Sequence, residues 1–234
     1  MVFLRSLIFL LLQILITPLF TLLALLSFPL HPITRYRIIS GWALTVLWLL
    51  RVLCGIRMEV RGAENIPRQP CVVLCKHQSA WETIALQKVF PPQVWVLKRE
   101  LLWLPFFGWG LAMTSPIAIK RSKSLDAIKQ LLNQGKARLA LGFCVVIFPE
   151  GTRMPYGQRG EYKMGGALLA AHCGVPVVPV AHNAGRLWGR KAFLKYPGVI
   201  TMSIGVPIDP AGLKAKEINR RVEDWIENEI ARLP

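Results

Sequence analysis

The chain has 234 residues, 53% of them hydrophobic, and its 29 Lys and Arg residues outnumber its 13 Asp and Glu residues to give a formal net charge of +16. This length suits one α/β domain with an additional segment, and the charge indicates an anionic partner. The mean hydropathy of +0.40 favours a membrane over nucleic acid, so no nucleic-acid partner is predicted.

The N-terminal part of the chain is strongly apolar. Residues 6–30 contain no charged side chain, and they are long enough to span a hydrocarbon core of about 30 Å. A second apolar run at residues 38–50 is shorter, and it could be a tilted membrane helix or lie in the interface. A single span and a two-helix hairpin inserted in one leaflet are both open. In either case the Arg residues after residue 30 predict an inner (cytoplasmic) membrane protein whose remaining domain faces the cytoplasm.

From residue 56 onward, short strand-like runs alternate with amphipathic helical ones. The predicted strands lie at residues 57–61, 72–75, 94–97, 116–119, 144–148, 176–181 and 199–204, and the predicted helices at residues 79–89, 124–141, 166–173 and 214–233. This alternation predicts an α/β fold, a mixed sheet flanked by helices. We therefore expect membrane-associated helices at residues 1–55 and an α/β domain at residues 56–234.

The five cysteines are interpreted as reduced core residues of a cytosol-facing domain, because their number is odd and three lie in strand-like runs. Cys71, Cys75 and His77 could in principle bind a metal. No second ligand pair with zinc-site spacing follows them, so no metal site is predicted.

A polar turn follows the predicted strand at residues 72–75. It includes His77, whose imidazole can take a proton from a hydroxyl if a carboxylate holds its other nitrogen. Glu82 is the nearest carboxylate after it in the chain. The alternative is structural, because Ser79 and Glu82 also have the spacing of a capping box, in which Glu82 only starts a helix.

Basic residues follow three further predicted strands. Lys98 and Arg99 follow the strand at residues 94–97, Lys120 and Arg121 follow the strand at residues 116–119, and Arg153 follows the strand at residues 144–148. Arg153 belongs to a Pro-Glu-Gly-Thr-Arg turn, in which Gly151 allows a close approach of the backbone and the guanidinium suits a phosphate. If the sheet brings these strand ends together, they form one anion site. Otherwise each is a solvated loop. The apolar tract at residues 102–109 could line an acyl pocket or rest on a membrane.

Four blocks occur in a fixed order: His77–Glu82, Lys98–Leu101 with Pro105 and Gly108, Phe148–Arg153, and Val175–Val180. With these blocks the chain, from about residue 56 to its C-terminus, resembles the glycerolipid acyltransferases, specifically the bacterial lysophosphatidate (1-acyl-glycerol-3-phosphate) acyltransferases. The family pattern ends its first block with Asp, where this chain has Glu82.

The resemblance implies acyl transfer from acyl-CoA or acyl carrier protein to the free hydroxyl of lysophosphatidate, which forms phosphatidate. It also implies membrane lipids as partners, and a reaction that needs no metal or bound cofactor. His77 would be the general base and Glu82 would orient its imidazole. The glycerol-phosphate portion would be bound by Lys98, Arg99, Arg121, Glu150, Gly151, Thr152 and Arg153. The chain has no G-x-S-x-G elbow, which counts against a serine acyl-enzyme.

Two other functions are open at this point. An acyltransferase of the same fold could act on another lyso-lipid, and a membrane-anchored basic protein could bind anionic lipid or nucleic acid without chemistry. The second alternative explains the charge, but it does not explain why His77 and Arg153 both follow predicted strands.

Overall fold

A computed structural model describes residues 1–120 and 124–234, apart from the side chain of Ser124. Arg121, which the resemblance assigns to the phosphate, lies outside the described residues. The strands are β1 (Ile56–Arg61), β2 (Val72–Cys75), β3 (Gln93–Lys98), β4 (Ile117–Ile119), β5 (Cys144–Ile147), β6 (Val177–His182) and β7 (Gly198–Ile204). The helices are α1 (Val2–Leu26), α2 (Pro32–Cys54), α3 (Trp81–Val89), α4 (Phe107–Met113), α5 (Ser124–Ala140), α6 (Gly165–Cys173), α7 (Ala184–Leu187) and α8 (Ala215–Ile230), with short 3-10 helices at Ala63–Asn65 and Arg99–Trp103.

The strands form one seven-stranded sheet in the order β1-β7-β6-β2-β5-β3-β4. In the described chain β6 and β7 pair antiparallel, and the other neighbouring strands pair parallel. The predicted mixed α/β sheet is therefore confirmed. Because β2, β5, β3 and β4 are consecutive parallel neighbours, their carboxyl ends meet at one edge of the sheet, where such folds bind ligands.

Helices cover both faces of the sheet, which explains its apolar central strands. Every residue of β2 and of β6 is buried, as expected for interior strands covered on both sides. One core cluster packs α1, α2 and α3 on one face, and a second packs α5, α6 and α8 on the other. Alternate residues of β2 enter each cluster: Val73 and Cys75 the first, and Val72 and Leu74 the second.

The N-terminal helices α1 and α2 form an antiparallel hairpin. The indole N–H of Trp42 donates to Thr17 Oγ1 at 3.1 Å, and the Cys54 thiol lies 4.0 Å from the carbonyl oxygen of Arg5. Both helices are long and apolar enough to cross a membrane. The second helix is longer than the apolar run at residues 38–50, because its first turn begins at Pro32, a favourable first helical position.

The helix predicted at residues 79–89 begins later, at Trp81. Residues 76–80 instead form an irregular turn, so His77 precedes the helix. Two short helices, α4 and α7, were not predicted, because neither shows a long enough amphipathic period.

Candidate active site

His77 lies just beyond the carboxyl end of β2, and Glu82 and Phe148 hold its ring. Its Nδ1 is 2.8 Å from Glu82 Oε1. The imidazole stacks on the Phe148 ring, with the ring centroids 4.0 Å apart and the planes 15° from parallel. Since Nδ1 faces the carboxylate, Nε2 is the nitrogen that can accept a proton from a bound hydroxyl.

The carboxylate of Glu82 is fully buried and organises the turn around His77. Its Oε1 accepts hydrogen bonds from the backbone N–H groups of Gln78 at 2.9 Å and of Ser79 at 2.8 Å, and its Oε2 lies 3.1 Å from the same Ser79 nitrogen. The contact with Ser79 that a capping box requires and the contact with His77 therefore coexist. One carboxylate can make both because His77 lies before the helix.

The surroundings of Glu82 favour its ionised form. Burial works against the charge, but His182, His77 and the Ser79 N–H together outweigh it and lower the pKa of Glu82 below its ordinary value. An ionised Glu82 accepts the Nδ1–H of His77 and leaves Nε2 unprotonated. This tautomer is the one that a general base needs.

The turn after β5 is tied directly to the backbone of His77. The His77 N–H donates to Glu150 Oε2 at 2.9 Å, and the Met154 N–H donates to the His77 carbonyl oxygen at 2.7 Å. Glu150 also forms a buried ion pair with Lys76 Nζ at 2.8 Å, and the same Nζ lies 2.7 Å from Glu227 Oε1 of α8. These contacts fix the two turns against each other.

A cavity of about 1390 Å³ opens beside His77. Its walls come from α1, α2, α3, β3, α4 and α5 as well as from the turn after β5, and they are mostly apolar. Phe20, Ile84 and Trp95 are examples of this apolar lining. A space of this size and character suits a long hydrocarbon chain.

Four of the residues assigned to the glycerol-phosphate line the same cavity as His77, and they are Lys98, Gly151, Thr152 and Arg153. The Nε of Arg153 is buried without a hydrogen-bond partner in the described part of the chain. Among the described residues, Glu150 and Arg99 do not belong to the cavity lining: Glu150 lies behind His77, and Arg99 is exposed. Of the basic residues at the predicted strand ends, Lys98 and Arg153 thus line one cavity with His77, whereas Lys120 is exposed and is not part of the lining.

Several residues near this site were not singled out from the sequence. Lys76 and His182 are buried next to Glu150 and Glu82, and Arg190 and Lys191 line the cavity. The partners of Lys76 and His182 lie far away in the chain, so no local pattern indicates these contacts. The available signal was weak, namely a charged or polar residue directly at the end of a buried strand.

Comparison with known proteins agrees with this geometry. Residues 57–183 match the family model described as acyltransferase. A 1-acyl-sn-glycerol-3-phosphate acyltransferase from Pseudomonas aeruginosa is 49% identical over 216 residues, which cover 89% of this chain and 84% of the relative. The mouse 1-acyl-sn-glycerol-3-phosphate acyltransferase alpha is 32% identical, over 84% of this chain and 70% of the relative.

A solved structure supports the fold independently. The crystal structure of the 1-acyl-sn-glycerophosphate acyltransferase from Thermotoga maritima superposes with a TM-score of 0.82 at 22% identity, covering 98% of this chain and 94% of that one. The alternative of a binding protein without chemistry is set aside by the family match and the relatives. The resemblance found in the sequence is confirmed: the chain belongs to the acyltransferase family and is an acyltransferase.

Proposed function

We propose that the protein transfers an acyl group from a thioester of coenzyme A or of acyl carrier protein to the free hydroxyl of lysophosphatidate, forming phosphatidate. The observation that carries this proposal is that His77, with Glu82 behind it, opens into a cavity with both a basic and a long apolar lining. Lysophosphatidate combines a phosphate with an acyl chain, so it matches both parts. The names of the relatives support the same acceptor.

The proposed reaction needs no covalent intermediate on the protein, because a thioester is already an activated acyl group. His77 Nε2 takes the proton from the acceptor hydroxyl as its oxygen bonds to the thioester carbonyl carbon. The tetrahedral intermediate then collapses as the carbon–sulfur bond breaks, and the departing thiolate takes the proton from the imidazolium. Glu82 stabilises the imidazolium between these two steps.

Arg153 and Lys98 are the proposed ligands of the phosphate. The guanidinium of Arg153 can donate two parallel hydrogen bonds to phosphate oxygens, and Lys98 adds a point charge. Gly151 and Thr152 lie in the same turn and would contact the glycerol portion. Glu150 would act indirectly, by holding the His77 backbone, while Arg99 and Arg121 stay predictions from the sequence.

We also propose that residues 1–55 seat the protein in the cytoplasmic membrane, with the domain at residues 56–234 on the cytoplasmic side. The outward faces of α1 and α2 carry exposed large apolar residues such as Leu15 and Trp48. The segment before α4 extends this surface, since Trp103 is 72% exposed, and the Thr21 hydroxyl of α1 donates to the Phe106 carbonyl oxygen at 2.9 Å. Lipid acceptors would then reach the cavity from the membrane.

The acceptor and the donor are tested together on purified full-length protein. Lysophosphatidate is incubated with acyl-CoA or with acyl carrier protein, and phosphatidate is measured by mass spectrometry. We expect phosphatidate with at least one donor, and much less product from lysophosphatidylcholine or glycerol 3-phosphate. A higher kcat/KM for another lyso-lipid would replace lysophosphatidate by that acceptor.

The membrane proposal has its own test. Membranes containing the protein are washed with high salt and with alkaline carbonate, and the protein is followed by immunoblot. We expect it to stay in the pellet. Active protein released into either wash would contradict membrane insertion of α1 and α2.

A further inference from the structure

A second histidine lies behind the His77–Glu82 pair. His182 is the last residue of β6, is fully buried, and points its Nε2 at the end of β2. This Nε2 lies 2.9 Å from the carbonyl oxygen of Lys76 and 3.8 Å from Glu82 Oε2. The reaction proposed above uses neither the ring nor its proton.

The hydrogen bonds of His182 define its tautomer. The Ala184 N–H lies 3.2 Å from Nδ1 and can only donate, so Nδ1 is the unprotonated acceptor. Nε2 therefore carries the hydrogen and donates to Lys76 O. Burial lowers the pKa of His182, which agrees with a neutral ring.

The His182 ring also supplies a hydrogen bond where the backbone pairing between β2 and β6 has ended. The β2–β6 register ends with Cys75 opposite Val180, and the Lys76 N–H donates to the Val180 carbonyl oxygen at 3.0 Å. Beyond this point β6 continues along β7, where His182 is paired with Met202. The side chain of His182 thus supplies the hydrogen bond to Lys76 O at the place where the strand carrying His77 leaves the sheet.

Glu82 has two oxygens, and their surroundings differ. Oε1 faces the His77 ring and two backbone N–H groups, whereas Oε2 faces the Ser79 N–H and the Nε2–H edge of His182. Since the carboxylate is fully buried, its charge depends on nearby polar groups, and the polar edge of His182 is one of them.

We propose that His182 is a positioning residue for the acyl transfer, which acts through the Glu82 carboxylate and the backbone at Lys76 to set the orientation of the His77 imidazole. The inference rests on the proposed function. It predicts that removing the Nε2–H donor lowers kcat and leaves substrate binding unchanged, because His182 touches neither substrate.

Two substitutions separate the donor from the shape of the side chain. His182→Phe keeps a ring but has no donor, and we expect kcat to fall by about tenfold, the effect of a lost buried hydrogen bond on the barrier. The KM values for lysophosphatidate and for the acyl donor should not change. His182→Gln keeps a neutral N–H at the same distance from the backbone, and it should retain kcat within about threefold of the wild type. Matching substitutions of the exposed His172 on α6 serve as controls and should have no effect.

A double-mutant cycle with Glu82→Gln tests whether His182 acts through the carboxylate. In the Glu82→Gln background we expect His182→Phe to lower kcat by clearly less than the roughly tenfold expected in the wild type, because only the contact with the Lys76 carbonyl oxygen is then lost. A full loss in both backgrounds, or a raised KM with unchanged kcat, would overturn the proposal in favour of a general structural role.

Thermal unfolding reports whether each variant folds. If His182→Phe does not fold, a tenfold loss in a folded His182→Gln enzyme would still overturn the proposal. Wild type and His77→Ala are measured in the same assay, so the two ideas can fail separately. An inactive wild type counts against the proposed function, whereas an active wild type with an unaffected His182→Phe counts against His182 alone.

Discussion

Two turns follow neighbouring strands, residues 76–80 after β2 and residues 148–154 after β5, and a glutamate lies beside His77 on each side: Glu82 in the first helical turn after the former, and Glu150 in the latter. Glu82 faces the imidazole at 2.8 Å, whereas Glu150 accepts from the His77 backbone N–H at 2.9 Å. One carboxylate therefore contacts the imidazole, and the other holds the backbone of the same residue. Both side chains are 0% exposed, so burial alone does not distinguish them.

The two carboxyl groups nevertheless differ in charge preference. Burial is the largest influence on both. It raises the pKa of Glu150, where Lys76 and the His77 N–H oppose it incompletely and the nearby Glu227 adds to it. Around Glu82 the two imidazoles and the Ser79 N–H overcome burial and lower the pKa. The donors and charges around each buried carboxylate therefore decide the direction in which its pKa is shifted.

The largest effect should come from removing the ring that both turns support. His77→Ala leaves the acceptor hydroxyl without a base, and we expect kcat to fall by about 10³-fold, within the usual range for general bases. The measurement is steady-state phosphatidate formation, with thermal unfolding to show that the variant is folded. His172→Ala is the control, because this histidine is exposed on α6. A folded His77→Ala enzyme with a tenth of the wild-type rate would remove His77 from the mechanism.

The comparison itself is tested by replacing each glutamate with glutamine. Glu82→Gln cannot stabilise the imidazolium with a negative charge, so kcat should fall by at least about a hundredfold. Glu150→Gln still offers an oxygen to the His77 N–H, and kcat should fall by less than about tenfold. Equal losses of kcat in the two variants would show that Glu82 and Glu150 do not have these different roles.

Glu82→Gln should also be less stable than the wild type. The amide nitrogen of the new glutamine side chain is a donor, and it would face another donor, either the Ser79 N–H or the Nε2–H of His182. We expect a loss of about 1–3 kcal/mol, the cost of an unsatisfied buried group. Denaturant unfolding of wild type and variant measures it.

Much of the fold could be predicted from the sequence, because it depends on short-range periodicity. The apolar run of β2 and the amphipathic period of α8 indicate their elements without tertiary information. The helix at α3 begins at Trp81 instead of Ser79, because the Glu82 carboxylate stabilises a turn that helical periodicity does not reveal.

The site could be predicted only as far as motifs mark residues. The sequence identified His77, Glu82 and Arg153, but it could not tell that Glu150 points inward. That orientation depends on Lys76, whose Nζ also binds Glu227, 151 positions away in the chain. Such contacts arise from packing of α8 on the sheet, and no local spacing encodes them.

Smaller effects are expected for the basic residues that line the cavity. Arg153→Ala and Lys98→Ala each remove a charge-assisted contact, so each should raise the KM for lysophosphatidate by about tenfold, with little change in the KM for the acyl donor. Arg68→Ala is the matched control, since Arg68 is exposed before β2, at the opposite edge of the sheet. The reverse pattern of KM values would assign Arg153 and Lys98 to the phosphates of the donor.

The smallest effect is the pH dependence of stability, and it has opposite signs for the two glutamates. The pKa of Glu82 is lower in the folded protein than in the unfolded chain. The contribution of Glu82 to stability is therefore complete above the ordinary pKa of about 4.3, and it is lost as the pH falls through the pKa in the folded protein. The pKa of Glu150 is raised on folding, so its ionisation costs stability, and this cost disappears as the pH falls through the folded value towards the ordinary one.

Glutamine does not titrate, so each variant supplies the reference for its own site. From about pH 7 to about pH 4.3 the stability of wild type relative to Glu150→Gln should rise. The stability advantage of wild type over Glu82→Gln should stay constant there and shrink between about pH 4.3 and about pH 3. Denaturant unfolding of the three proteins across both ranges measures both differences. Two differences that change with pH in the same direction would mean that folding does not shift the pKa values of the two glutamates in opposite directions. The contrast between Glu82 and Glu150 would then reduce to which atom of His77 each one contacts.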